Sequence, residues 1–390
     1  MRKWFIMKLK KIFIACSLLV GTVSSWAVND NNLPIGESNA AVPTYVVINP
    51  NALAQNIKVM RQTIGSGVKI CLVLKADAYG NGIANLINEA IKQNVEYIAA
   101  VDNSEFAIIA PAIKKSGKNI HMLRIAPVTK AELIEEITNG WNIEEVAGSV
   151  EEARMISTVA QEMSKKLHKK ITIGVHLNIE TGMGRMAVRD VSDMKQIIAL
   201  PNLKLVGVMT HFARDYEDSP VDYEYTSMQL NMFESAIAQL NLESDVIKHV
   251  ANSAAALKFP WTRLDMVRVG AIMYGADFDG MGDESGLSRK YTPVMQSFKT
   301  TVGIIESNVP PHSPINYDGE EFTRDDRAST TATLRVGYNY GFPRYAYKEK
   351  VYVLIEGQKF PVIGKSSMNM VVVDITDQDP KHLVKNGDEV

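Results

Sequence analysis

Between residues 44 and 288 the chain repeats one pattern eight times: a short apolar or β-branched run, then a longer amphipathic stretch. No other feature constrains the fold as tightly. The runs are Val68–Lys75, Tyr97–Val101, Asn119–Arg124, Glu144–Ala147, Ile171–Asn178, Leu203–Thr210, Val246–Val250 and Leu264–Val269. Ile83–Lys92, Lys130–Thr138, Ser149–Ser164 and Tyr225–Leu240 carry the helical spacing between them. Near-continuous apolar runs mark parallel strands buried on both faces. Eight βα units over the ~250 residues of such a fold specify a (β/α)8 barrel. A doubly wound sheet would need a glycine-spaced turn after its first strand. The segment after Lys75 reads Ala76-Asp77-Ala78-Tyr79-Gly80-Asn81-Gly82 and lacks that spacing. Beyond Arg289 the rhythm changes, and Val294–Ile305, Ala332–Val336, Lys350–Glu356, Lys359–Gly364 and Met370–Asp374 follow with no long helix between them. The expected architecture is a TIM-like α/β barrel over 44–288 and a C-terminal all-β domain over 289–390.

The first 27 residues have the design of a secretion signal. Arg2, Lys3, Lys8, Lys10 and Lys11 precede the apolar run Ile12–Val20, and Ser25-Trp26-Ala27 supplies small residues for cleavage after Ala27. The run is shorter than the ~20 residues that span a bilayer, so no membrane attachment is expected after cleavage. A polar linker or arm follows over 28–43. Cleavage removes five cations and takes the formal net charge from −2 to −7, which leaves no basic field for nucleic acid. It also removes Cys16. Cys71 then stands alone, unable to form an internal disulfide, and its place in the apolar run Ile70–Leu74 makes it an inert core thiol.

Active sites of such barrels lie at the C-terminal ends of the strands. Lys75, Arg124, Asn178 with Arg185, His211, Asn252 with Ser253, and Arg268 ahead of Gly270 stand there. Lys75 closes an apolar run, where an ammonium is costly to desolvate unless it is used. A lysine of lowered pKa forms Schiff bases with carbonyls; a strand-end lysine reaching solvent is the plainer alternative. A lone histidine such as His211 is more often a hydrogen-bonded structural residue than a ligand. No His-x-x-x-His or cysteine pair is present, so no metal site is expected. Tyr338, in Val336-Gly337-Tyr338-Asn339-Tyr340-Gly341, is either an exposed loop aromatic or a phenol placed to exchange a proton.

In order along the chain, Val73-Leu74-Lys75-Ala76-Asp77-Ala78-Tyr79-Gly80, Thr181-Gly182-Met183-Gly184-Arg185, His211-Phe212-Ala213, Ala251-Asn252-Ser253-Ala254-Ala255 and Arg268-Val269-Gly270 resemble the alanine racemase family. Tyr274-Gly275, Gly337-Tyr338 and Gly364-Lys365-Ser366-Ser367-Met368 extend the resemblance, which covers roughly Thr44–Val390. It implies pyridoxal 5'-phosphate as cofactor and a head-to-tail homodimer with shared active sites. Lys75 would hold the cofactor and act as one base, and Tyr338 of a second subunit as the other. Arg268 would face the ring nitrogen, with His211 beside it. Tyr79, Ser253, Gly270 and Ala271 would bind phosphate. Arg185 would reach both cofactor and substrate, and Met368, Asn178 and Arg124 would line the substrate side.

Departures from the family pattern sharpen the expectation. Asn178 stands where most members carry a carbamylated lysine, Asn369 replaces a common aspartate, and Asp77 and Asn81 replace asparagine and histidine. With the secretion signal, these resemble the broad-spectrum amino-acid racemases of the bacterial periplasm, in which a chloride ion takes the carbamate's place. Small non-β-branched and basic amino acids are then the expected substrates. The alternatives are a narrow alanine racemase, or a truncated, inactive cofactor-binding relative, since members continue some tens of residues past Val390. A decarboxylase on this scaffold would carry an acid at the ring nitrogen, where this chain has Arg268.

Overall fold

The computed structural model describes residues 28–29, 42–276, 286–319 and 323–390. The signal read at residues 1–27 lies outside the described residues. Two compact units are present: Pro50–Val294, and a second that joins the chain before Pro50 to Met295–Val390.

In chain order, β1 (Val28–Asn29) and β2 (Tyr45–Ile48) belong to the second unit. The first unit holds β3 (Lys69–Val73), β4 (Tyr97–Ala100), β5 (His121–Arg124), β6 (Ile143–Ala147), β7 (Ile173–Asn178), β8 (Leu203–Met209), β9 (Ile247–His249) and β10 (Met266–Val269). All eight are parallel and pair in sequence, with β10 returning to β3. Backbone bonds from Asp265 N–H to the Lys248 carbonyl (3.1 Å) and from Arg268 N–H to the Ala251 carbonyl (2.9 Å) close the ring between β9 and β10. Helices α1 (Pro50–Ile64), α2 (Ile83–Lys92), α3 (Asn103–Ser116), α4 (Lys130–Asn139), α5 (Val150–Lys166), α6 (Val191–Ile198), α7 (Pro220–Ile237) and α8 (Ser253–Lys258) alternate with the strands. Their ends follow local chemistry. Asp102 and Thr129 form capping boxes with Glu105 and Glu132, and Gly117 and Gly140 end the same two helices in the left-handed conformation.

Strand periodicity decides which side chains enter the barrel. Successive side chains point to opposite faces. Cys71, Val73, Leu123, Val146, Met209 and Met266 form one buried cluster. The same parity carries Lys75 and Arg268 inward and turns Arg124 and Glu145 outward, toward the helices.

The second unit holds β11 (Met295–Lys299), β12 (Val302–Val309), β13 (Ser329–Leu334), β14 (Tyr352–Ile355), β15 (Gln358–Ile363) and β16 (Val371–Asp374). Five of these form an antiparallel sheet in the order β12-β13-β16-β15-β14, over a core of Ala332, Leu334, Ile355, Phe360, Val371 and Val373. Val294–Ile305, expected as one run, is two strands in different sheets. It divides at Thr300, which exchanges two backbone bonds with Val390 and bonds Thr44 through its hydroxyl. Both residues at the break, Thr300 and Thr301, favour strands, so composition gives no sign of it. Residues from Thr44, read as the start of the barrel, pair instead with β11, because β2 runs antiparallel to it.

Candidate active site

After β3 the chain winds the wrong way. Ala76, Asp77, Ala78 and Tyr79 have φ of 54°, 51°, 56° and 56°, four consecutive non-glycine residues in the left-handed region. Each costs ~1–2 kcal/mol for an L-residue. Ala78 N–H donates to the Leu74 carbonyl (2.7 Å) and Gly80 N–H to that of Ala76 (2.9 Å). The buried Glu105 carboxylate accepts Asp77 N–H (3.0 Å) and Val101 N–H (2.7 Å), and Asp77 Oδ1 accepts the first N–H of α2 from Ile83 (2.7 Å). This over-determined turn presents Lys75 and Tyr79 together, with the Lys75 Nζ 5.9 Å from the Tyr79 ring centre.

Arg268 is buried on the neighbouring strand, β10, in register with Cys71 of β3. It donates through one terminal nitrogen to His249 Nδ1 (3.0 Å) and the His249 carbonyl (2.8 Å). The other serves the Thr210 carbonyl (2.7 Å), His211 Nδ1 (3.3 Å) and the Val250 carbonyl (3.3 Å). Its Nε–H finds no acceptor among the described residues. Burial lowers the Arg268 pKa to about 10, with Arg185 adding to the effect. The Lys75 amine is lowered by burial, then by Arg185 and Arg268, against an opposing pull from Glu105. His211 falls to about 3 through burial and the cations Arg268, Arg185 and Lys75, and is neutral. Three cations and a neutral imidazole thus crowd one rim, a field that favours an anion.

The same rim carries a cradle. Gly270 N–H donates to Ser253 Oγ (3.0 Å), and Asn252 caps α8 through Ala255 N–H (3.1 Å). A Cβ on Gly270 would lie 2.2 Å from the Tyr79 hydroxyl, so the missing side chain is what lets phenol and backbone converge. Tyr79 packs on Tyr274 with ring centres 4.9 Å apart, and the Tyr274 hydroxyl donates to the Val73 carbonyl (2.7 Å). Ala271 opens the short turn Ala271–Tyr274 beside them. Hydroxyls and backbone amides beside an amine, arginines and an imidazole fit a phosphorylated aldehyde with a basic ring nitrogen.

Arg185 is exposed on a turn secured from below: Asn178 Nδ2 donates to the Met186 carbonyl (2.7 Å), and Glu180 accepts the N–H groups of Gly182 and Gly184. Asn178 therefore supports the loop of Arg185. Arg124 requires a correction. It is fully buried on the outer face of β5, bonded through Nε to both Glu145 oxygens (3.0 Å each), to the Val101 carbonyl (2.9 Å), Asn103 (2.8 Å) and Glu136 (3.2 Å). Its inward neighbour is Leu123, and no guanidinium arm reaches the rim. The substrate role expected for Arg124 is replaced by a structural one.

In the second unit, Tyr338 N–H donates to the Ser367 carbonyl (3.1 Å) and Asn339 N–H to that of Met368 (3.0 Å), so Tyr338 and Met368 share one surface. Their side chains are 37% and 54% exposed, and the Arg344 guanidinium lies 5.2 Å over the Tyr338 ring. A Cβ on Gly337 would meet the Ser367 and Met368 carbonyls at 2.3 and 2.5 Å, which explains the glycine.

Residues 48–277 match the family model for the N-terminal domain of alanine racemase, and residues 295–390 that for its C-terminal domain. This chain belongs to the alanine racemase family. The broad specificity amino-acid racemase of Aeromonas hydrophila is 33% identical over 98% of this chain and 90% of its own length. The lysine racemase of Proteus mirabilis is 30% identical over 89% of this chain and 80% of its own. Among solved structures, alanine racemase from Clostridium difficile aligns with a TM-score of 0.76 at 30% identity, covering 89% of this chain and 86% of that one.

Within this family frame, the sequence reading missed Glu105, His249, His176 and Glu144, and named Tyr274 without giving it a role. His176 had a signal, as the one ionisable side chain of β7, whereas Glu144 and His249 share their strands with Glu145 and Lys248.

Proposed function

We propose that this chain is a pyridoxal-phosphate-dependent amino-acid racemase of broad spectrum, acting on small and basic amino acids. The observation that carries the reading is the cluster of Lys75, Arg185, His211 and Arg268 at one barrel rim, with the Lys75 amine acidified by burial and by its cationic neighbours. When bound, the cofactor supplies a carbonyl for amines and an electron sink that acidifies the substrate's α-hydrogen.

Lys75 is suited to both of its tasks, since a lowered pKa leaves more free amine to attack a carbonyl and to accept a proton. Tyr79, Ser253, Gly270 and Ala271 would hold the phosphate. Arg268, whose Nε–H meets no acceptor among the described residues, would donate to the ring nitrogen and disfavour its protonation. His211, neutral, would stand beside the cofactor, and Arg185 would receive its phenolate and the substrate carboxylate. Tyr338, from a second copy in a head-to-tail dimer, provides the base on the opposite face, and Met368 beside it borders the substrate. Two bases on opposite faces make inversion symmetric: one takes the α-proton as the other returns one. An asparagine at 178 leaves room for chloride where a carbamate would otherwise steady Arg185. The basic, apolar and small-residue order of residues 1–27 supports export to the periplasm.

The test is chiral analysis of the purified protein incubated with L-alanine, L-lysine and L-arginine, alongside its visible absorbance. D-products from all three, and a cofactor band lost in Lys75→Ala, are expected. Turnover of alanine alone refutes the broad spectrum, and a band without inversion refutes the racemase.

A further inference from the structure

Below Arg268, hydrogen bonds continue through the barrel interior, away from the rim. His249 Nε2 meets His176 Nδ1 at 2.8 Å, His176 Nε2 meets Glu144 Oε2 at 2.7 Å, and Glu144 Oε1 meets His121 Nδ1 at 2.7 Å. With the 3.0 Å contact from Arg268 to His249 Nδ1, five residues from five strands form one line. Both central imidazoles are fully buried. The far end opens to water: the His121 side chain is 41% exposed and lines, with Lys69, Glu96, Lys204 and Asp245, a cavity of about 360 Å³ at the N-terminal ends of the strands.

The barrel is shaped around this line. A Cβ on Gly207 would sit 2.1 Å from His176 Nδ1, and one on Gly174 would sit 3.1 Å from Glu144 Cγ. The register of β7 against β8 shifts between Val175 and His176. Tyr97 walls the line, stacked on His121 at 4.6 Å and edge-on to His176 at 6.2 Å.

Its polarity is forced from both ends. A guanidinium can only donate. His249 Nδ1 must therefore accept, which leaves its proton on Nε2 and directed at His176 Nδ1. That nitrogen accepts in turn, so His176 also carries its proton on Nε2 and gives it to a carboxylate that can only accept. A second proton on either ring would set one N–H against another. Arg268 itself touches carbonyls and imidazoles and no carboxylate among the described residues. A buried cation without a counter-charge is costly, and a carboxylate bonded to the far side of an imidazole makes that ring a stronger acceptor.

We propose that Glu144 is the remote counter-ion of Arg268, and that His176 and His249 are positioning residues that carry its charge to the guanidinium by polarisation, holding Arg268 oriented at the cofactor's ring nitrogen. The proposal rests on the racemase reading for what Arg268 faces, and no proton leaves its residue.

The test has two parts. In protein labelled with ¹⁵N-histidine and ¹⁵N-arginine, two-bond ¹H–¹⁵N spectra should show His176 and His249 neutral with the proton on Nε2. A cationic ring or the other tautomer at either position overturns the proposal. Glu144→Gln keeps an acceptor toward His176, removes the charge and turns an amide N–H toward the exposed His121 at the far end. It should shift the Arg268 guanidinium ¹⁵N resonances and lower kcat about tenfold on every substrate, with KM changed less than threefold. Unmoved Arg268 resonances, or wild-type kcat in a folded Glu144→Gln protein, overturn it. A wild-type chain that racemises nothing would defeat the functional reading, while the tautomers and the Arg268 resonances would still decide the relay.

Discussion

Replacing Gly270 with alanine puts a methyl group 2.2 Å from the Tyr79 hydroxyl, 2.8 Å from Cζ and 3.1 Å from Cε2. Ordinary contact begins near 3.4 Å, so the phenol must withdraw by roughly 1 Å. Its retreat is blocked by Tyr274, which the bond to the Val73 carbonyl holds in place. Overpacking of this kind costs ~1–3 kcal/mol. If Tyr79 swings out of the phosphate cradle, that energy is lost from cofactor binding and Kd rises about 5- to 150-fold. If Tyr79 stays, the cost falls on folding. Titrating cofactor-free Gly270→Ala protein with pyridoxal phosphate by absorbance, beside urea unfolding of the same sample, measures both shares. Together they should amount to ~1–3 kcal/mol. Wild-type Kd and wild-type stability in one sample would refute the close approach of Tyr79 to this backbone.

Glu105→Gln leaves one buried N–H, of Asp77 or Val101, facing a donor, at a cost of ~1.5–3 kcal/mol. Tm should fall by ~3–12 °C with cofactor content falling alongside, and a Tm within about 1 °C of wild type contradicts the anchoring role. Arg124→Met strands the Glu145 carboxylate, so thermal unfolding should reveal a loss of ~3–5 kcal/mol with KM of the folded enzyme unchanged. A raised KM at full stability would restore Arg124 to the substrate. Burial, reinforced by Glu145, pushes the Glu136 carboxyl up to about 10. A raised folded pKa contributes stability that is complete below the ordinary value of 4.5 and is lost as pH climbs toward 10. Glu136→Gln, which mimics the protonated form, should therefore gain on wild type by up to on the order of 1 kcal/mol per pH unit across that window. A pH-independent difference in urea unfolding at pH 6 and 9 rules this out.

The barrel strands are readable in the amino-acid sequence because strands buried on both faces leave unbroken apolar runs, and each observed strand falls within two residues of the run expected for it at either end. Lys75 and Arg268 were findable because a cation at the end of such a run is conspicuous. Arg124 looked the same and was not. Only its parity relative to Leu123 separates an outward residue from an inward one, and the end of a strand does not reveal parity by charge alone. The line of His249, His176 and Glu144 escaped notice because its partners, 32 and 73 positions apart in sequence, meet only when the ring closes, and Lys248 and Glu145 beside two of them blur which side chain faces inward. The turn after Lys75 was least legible: Ala76, Asp77 and Ala78 carry no local preference for left-handed winding, which distant contacts impose.

That turn also bears on the order in which the molecule can be made. Its four left-handed residues carry ~4–8 kcal/mol of local strain, comparable with the whole ~5–15 kcal/mol margin of a typical domain. The contact that offsets it comes from Glu105, 28 residues further along. A nascent chain that has emerged only as far as Gly80 has nothing to hold this winding, and the segment is free to wander. Lys75 acquires its setting only once β4 and α3 have been synthesised and have docked, so a half-made chain has no shaped seat with which to capture a reactive aldehyde.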